Sequence, residues 1–387
     1  MLRYVPLTAQ YCIHRVVHMM SYEHTGQRRS NRPDVRRIGR QDIEHLSRIV
    51  GRIHGLERKP EHLDWKYFQN PAGGPLSAVA EVDGRTVSHT GAIRTWFRVA
   101  GTARQASQEV DIFVDEALRS ARAFFRLYRE RVNINECENI DFMFGFTIDK
   151  TSKISRKAMK FQRVGPVPRL VHVIDSRHFF HRRLGVKPVA DVLGRVVNAA
   201  IALSRPQQQP VPAGMKLVDV DHFDARFDAL WERIRDDYPI MLRKDATYLQ
   251  WRYRDVRDVE FETIALENAS NSRIEGFCVV GINPLDSTRG CLVDLVTPRP
   301  GDAALNATLI AAAIERLRER QVATVAAWAF PHMHTYPVLQ HCGFRLQPVE
   351  GQDLVCRHTG TGNPDDILPL LMQQENWCVA MGDSDWN

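Results

Sequence analysis

Long apolar runs are missing from this sequence. None approaches the roughly 18–20 residues that a helix needs to cross a bilayer, so no membrane span is expected. Residues 1–30 lack the apolar centre of a secretory leader, being broken by Arg3, His14, Arg15, His18 and Glu23, and residues 1–33 read as a tail. Cysteine is sparse. The seven, at 12, 137, 278, 291, 342, 356 and 378, are odd in number with no Cys-x-x-Cys, which argues against a disulfide framework and suits a reducing cytoplasm. Lysine is scarce too: nine of 52 basic residues, so arginine carries the net charge of +6. That reflects either a biased genomic composition or a preference for anions such as phosphates and acidic sugars. The arginines are scattered, which argues against a nucleic-acid partner. Gly-x-Ser-x-Gly, a Walker loop and a dinucleotide fingerprint are all missing.

What is present is a duplication. Leu63-Asp64-Trp65-Lys66-Tyr67 is echoed by Leu249-Gln250-Trp251-Arg252-Tyr253, Val110-Asp111-Ile112 by Val293-Asp294-Leu295, Phe146 by Phe330 and Phe161 by Phe344. The offsets are 186, 183, 184 and 183 residues. Four pairs in one order at one spacing predict two similar domains in the 387 residues.

The periodicities predict the same element order twice. Val35–Ile38 reads as a strand, and Asp42 precedes a helix with Ile43, Leu46, Ile49, Val50 and Ile53 on one face. The Trp65 helix follows, then a hairpin turning at Asp83-Gly84. Next come a strand over Gln108–Val114, a helix over Glu116–Arg131, a strand over Asp141–Phe146, a helix over Thr151–Met159, and strands at Phe161–Val164 and Leu170–Ile174. The domain prediction is 34–175, a connector over 176–214, and 215–387. Within the connector Val189, Val192, Val196, Ala199 and Leu203 step as an amphipathic helix, and Pro206–Pro212 as an extended linker.

That order, β–α–α–β–β–β–α–β–α–β–β, resembles the GNAT acyltransferase fold, and its tandem copy resembles the double-GNAT proteins. The Trp65 helix with Asn70-Pro71-Ala72-Gly73, the hairpin Ala80–Val87, and His341-Cys342-Gly343-Phe344 carry the resemblance. The ending Gly382-Asp383-Ser384-Asp385-Trp386 is similar to a subgroup associated with envelope polysaccharide loci. The resemblance implies an α/β (α+β) fold of two GNAT-like domains, each a mixed, mostly antiparallel sheet flanked by helices. It further implies a cytoplasmic N-acyltransferase taking acetyl-CoA or another acyl-CoA, with no metal and with an amine or amino-sugar acceptor.

The family holds the pyrophosphate on backbone N–H groups in a Gln/Arg-x-x-Gly-x-Gly/Ala loop opening a helix. The first copy matches with Arg119-Ser120-Ala121-Arg122, Arg122 replacing the glycine, so the resemblance places the cofactor on Val114, Arg119, Ser120, Ala121 and Arg122. The second copy has Asp302 at that place, where a carboxylate would repel phosphate. The resemblance suggests Glu109 and Asp111 as catalytic acids; two apart, they are expected on one strand face. Salt-bridged structural acids are the alternative. The family's general-acid tyrosine is replaced by Arg156 and Leu339. Trp65, Tyr67, Trp251 and Tyr253 read either as core or as an acceptor groove. His332, His334, His341 and Cys342 do not form a standard zinc spacing. Two other readings remain open: a catalytically inactive scaffold pair, and a Fem-type aminoacyl transferase.

Overall fold

The structure is a computed structural model and describes residues 33–82, 85–114, 121–148, 155–184, 187–204, 211–347, 352–360 and 364–385. The first half contributes strands β1 (Asp34–Arg37), β2 (Ala78–Val82), β3 (Arg85–Val99), β4 (Thr102–Val114), β5 (Phe142–Ile148), β6 (Gln162–Pro166) and β7 (Arg169–Val173). The second contributes β8 (Met215–Asp219), β9 (Ile240–Leu242), β10 (Phe261–Asn268), β11 (Ile274–Ile282), β12 (Arg289–Val296), β13 (Thr324–Trp328), β14 (Arg345–Gln347), β15 (Gln352–His358) and β16 (Trp377–Cys378).

Among the described residues these strands make two sheets, ordered β1-β2-β3-β4-β5-β15-β6 and β14-β7-β13-β12-β11-β10-β8, with β9 pairing to β3 and β16 to β9. Both are mostly antiparallel, with β4·β5, β9·β16 and β12·β13 parallel, and helices flank them. The fold is therefore the mixed α/β class expected. The last strands are exchanged: β15 enters the first sheet between β5 and β6, and β7 enters the second between β13 and β14. The sequence reading had Leu170–Ile174 closing the first unit; its hydrogen bonds go to the other sheet. Strand identity is local, but the pairing partner is chosen by tertiary burial.

β3 and β4 are longer than periodicity suggested, because Ala100 (φ 44) and Gly101 (φ 78) form a two-residue turn that joins them from Val99 to Thr102. The Glu116–Arg131 prediction falls partly outside the described residues; the helix observed is Ala121–Cys137. Likewise 151–154 and the Asp83-Gly84 turn lie outside them. Helix Pro60–Phe68 starts with Pro60 at its first turn, where the missing N–H costs nothing. On β3, Ile93 belongs to the same buried cluster as Leu63 and Trp65, whereas its neighbour Ala92 belongs to a separate one with Leu127 and Ile134. Successive residues face opposite sides of a sheet. Helices Pro60–Phe68 and Ala121–Cys137 therefore cover opposite faces of the first sheet.

The faces carrying Trp65 and Trp251 merge into one apolar core spanning both halves. No described helix is long and apolar enough to cross a membrane.

Candidate functional site

The site is built on a bulge in β4. Gly91 pairs with Val110 and His89 with Phe113, so two steps on β3 face three on β4. Asp111 takes the strain at φ 44. Parallel pairing of β4 with β5 runs from Ala106↔Phe142 to Gln108↔Phe144 and stops there, opening the sheet just before the bulge. β12 repeats this: its register slips between Val279↔Asp294 and Val280↔Leu292, and its pairing with β13 ends at Cys291↔Ala326.

The bulge corrects one expectation. Glu109 and Asp111 do not share a face, because the inserted residue resets the alternation. Asp111 meets Lys66 and Tyr67 of helix Pro60–Phe68, and Glu109 meets Arg131 of helix Ala121–Cys137.

Asp111 is the hub of the first copy. Its Oδ2 accepts from Tyr67 Oη and from Lys66 Nζ, each at 2.7 Å, and Lys66 Nζ also donates to Asp385 at 2.7 Å. The second copy repeats the hub: Tyr253 Oη donates to Asp294 Oδ2 at 2.5 Å, and buried Lys244 bridges Asp294 and Asp383. Burial, followed by the adjacent carboxylate, pushes both tyrosines well above the usual phenol value, so they remain donors. Burial alone would lower Lys244, but Asp294 and Asp383 outweigh it and keep the ammonium charged. Burial first, and then Asp294, raises Asp383, as expected of two carboxylates sharing one cation.

The carboxylates from the tail tie the halves together. Gln108 Nε2 donates to Asp383 O at 3.0 Å, and Arg252 donates to Gly382 O at 3.3 Å and to Ser384 O at 3.1 Å. Gly382 is required here, since a Cβ would stand 2.0 Å from Tyr253 Oη. The segment 381–385 is thus threaded between the two hubs. The sequence carried its charges visibly but gave no signal of where they dock.

Glu109 stands at the opening between β4 and β5. Its Cβ lies so near Gly145 of β5 that a Cβ on Gly145 would be 3.2 Å from it. One carboxylate oxygen pairs with Arg131, which also donates to Ser107 Oγ at 2.8 Å. The other, Oε2, is buried without a hydrogen bond among the described residues. Burial raises the Glu109 carboxyl, outweighing the opposing pull of Arg131 and Arg357. The ion pair alone would suggest the reverse; the burial direction prevails because the carboxyl lies in the interior with half its hydrogen-bonding capacity unmet. Arg131 itself was missed, though Phe124, Leu127, Tyr128 and Arg131 recur at helical spacing on the buried face.

Arg119 and Ser120 lie outside the described residues, as do the side chains of Val114, Ala121 and Arg122. The equivalent place in the second copy is closed by the protein itself. Asp302 Oδ1 accepts from Ala304 N at 2.7 Å, capping helix Ala303–Glu319. A Cβ on Gly301 would meet His334 at 2.3 Å. That ring is held by Tyr238 Oη at 2.8 Å and by Thr297 Oγ1 at 2.9 Å. A phosphate would have to displace both the cap and the ring.

The four aromatics line no open groove. Trp65, Tyr67, Trp251 and Tyr253 are 1%, 1%, 5% and 2% exposed, and the two indoles stack with centroids 4.9 Å apart. They form the seam between the halves. Among the described residues no cluster of three or more His, Cys, Asp or Glu is placed to hold a metal.

No family model and no curated protein matches the sequence. Solved structures do match in shape. A protein of Enterococcus faecalis V583 described as a probable N-acyltransferase aligns at a TM-score of 0.59 and 9% identity, covering 85% of this chain and 73% of that one. A tandem GNAT protein from the clavulanic acid biosynthesis pathway gives 0.55 and 14%, covering 86% and 100%. Saccharomyces cerevisiae N-myristoyltransferase with bound myristoyl-CoA gives 0.57 and 13%, covering 90% and 89%. At these identities the likeness is one of fold, and the fold of this chain is that of a tandem GNAT-type protein.

Proposed function

We propose that the protein is an acyl-CoA-dependent N-acyltransferase whose first copy binds the cofactor at the β4–β5 opening. The observation that carries this is the asymmetry of the two copies. Both open their parallel strand pair beside a bulge, but the second fills its helix N-terminus with Asp302 and His334. Arg119 and Arg122 of the first copy supply the cations an anionic pyrophosphate requires. The solved neighbours named as acyltransferases, and the yeast enzyme with its bound acyl-CoA, agree with this cofactor class.

In this reading a neutral acceptor amine attacks the thioester carbonyl carbon. Backbone N–H groups of the bulged strand stabilise the developing oxyanion. The C–S bond breaks and the thiolate leaves, becoming CoA with the proton that the amine has released to Glu109, which regenerates the carboxylate. Glu109, whose Oε2 has no hydrogen bond among the described residues, accepts the amine's proton. Asp111 acts as a positioning residue, fixing the bulge through Lys66 and Tyr67. An amino sugar or envelope precursor is the proposed acceptor, resting on the sequence resemblance of the ending.

Calorimetric titration of the full chain with acetyl-CoA and myristoyl-CoA tests this. One site per chain, lost in Arg119→Glu and kept in His334→Ala, is expected. Absence of binding by either ligand would overturn the proposal, and binding lost only in the His334 variant would move the site to the second copy.

A further inference from the structure

The connector is a helical hairpin, Arg177–Leu184 and Lys187–Ser204, whose apolar side faces outward. In the longer helix Ala190 and Gly194 are buried, and Gly194 O accepts from Ser176 Oγ at 3.0 Å. Asn198 secures the same inner side by accepting from Ser176 and donating to Asp175. The opposite side carries Val189, Val192, Leu193 and Val196, exposed to 50%, 61%, 41% and 63%. Exposed Ala199 and Ala200 continue it. At about 100° per residue these six fall within roughly 120° of the helix circumference. Phe179 and Leu184 of the shorter helix are exposed as well. A soluble amphipathic helix buries its apolar stripe; this one displays it.

The charge around the stripe selects its occupant. Residues 177–204 hold Arg177, Arg182, Arg183, Lys187 and Arg195 against a single acid, Asp191. Arg177 is taken up by Asp175 at 2.7 Å on the inner side, and Arg183, Lys187 and Arg195 are exposed. Asp191 is engaged by His181 at 2.7 Å. A second copy docking on the stripe would bring an equally cationic hairpin beside this one. Nor does one convex helix offer the pocket around an aromatic anchor on which a protein partner would depend. An exposed aliphatic stripe on a hairpin that also exposes Arg183, Lys187 and Arg195 matches the boundary of an anionic bilayer, where acyl chains take the stripe and lipid phosphates the cations within reach, Arg195 beside the stripe and Arg183 on the shorter helix.

We propose that the hairpin 177–204 is a docking element that lays the protein on anionic membrane surfaces without spanning them. This is independent of the catalytic reading. The test is flotation of the full chain with vesicles of phosphatidylglycerol and phosphatidylcholine, compared with phosphatidylcholine alone. Flotation on the anionic vesicles, at least about tenfold weaker on the neutral ones and reversed by about 0.5 M salt, is expected. Val192→Asp/Val196→Asp should abolish it without lowering the melting temperature, since both side chains face solvent. Arg183→Glu/Arg195→Glu should weaken it while keeping the stripe intact. Failure to float, flotation untouched by the Asp pair, or equal flotation on both vesicles would overturn the proposal. A dimer in sedimentation that the Asp pair splits would also overturn it, assigning the stripe to a second copy.

Discussion

Trp65 and Trp251, 186 residues apart, exchange hydrogen bonds: Trp65 Nε1 donates to Trp251 O at 2.7 Å and Trp251 Nε1 to Trp65 O at 3.1 Å. The reciprocity marks a local two-fold relation between the copies, with the stacked indoles at its centre. The same relation sets Asp111–Tyr67 against Asp294–Tyr253.

Removing one indole N–H leaves a buried carbonyl without its donor. Trp65→Phe should therefore destabilise the chain by about 1–3 kcal/mol in urea unfolding. With Trp251→Phe added, the loss should be non-additive, because the two bonds share one contact. Strict additivity would show that the bonds do not act as a unit.

The exchanged strands give a second prediction. Residues 34–175 alone leave β7 without its sheet and the first sheet without β15 between β5 and β6. Each half expressed by itself should be insoluble or lack a cooperative melt, and co-expression should recover a one-to-one complex. A separate half that melts cooperatively would contradict this dependence.

Much of this was written in the sequence. The Trp-x-Tyr echo located both hub tyrosines, and the constant offset paired Asp111 with Asp294, because duplicated contacts demand duplicated residues. The bulge was not legible: Asp111 looks like any alternating strand residue until the partner register is known. Strand exchange and tail insertion were hidden for a related reason. Both are long-range choices among equally good local elements, and only the common core decides between them. Lys244 carries no periodic signal, although its role balances two acids far along the chain.

That balance is testable. Lys244→Met leaves Asp294 and Asp383 buried without their cation and should cost about 3–5 kcal/mol. Asp383→Asn should cost much less, since the remaining Lys244–Asp294 pair is neutral overall. Equal losses in the two variants would mean the second carboxylate is as necessary as the lysine.

For Glu109, burial raises the carboxyl above its ordinary value. A base must be deprotonated to act, so kcat/KM should rise with pH along an acid limb lying above the usual glutamate range. Arg131 pulls the other way, so Arg131→Gln should move that limb further up. Glu109→Gln should lower kcat with little change in acyl-CoA affinity. A limb that Arg131→Gln leaves in place would remove Glu109 from the proton path.

Buried histidines give the chain an acid limit. Burial lowers His62 to about 2 and His89 to about 4, so both are neutral in the folded chain where the unfolded chain binds protons below its ordinary value of 6.5. Each histidine's contribution is fully present above 6.5 and declines as pH falls towards the folded value. Between pH 7 and pH 5 each should withdraw about 2 kcal/mol from unfolding free energy. Carboxylates titrate over part of the same range, so the decisive comparison is the difference between wild type and His89→Gln, whose hydrogen-bonding side chain does not titrate. Its stability should fall less steeply by about one proton over that interval. Parallel pH dependences would show that His89 is protonated without cost in the folded chain, against the burial of its ring.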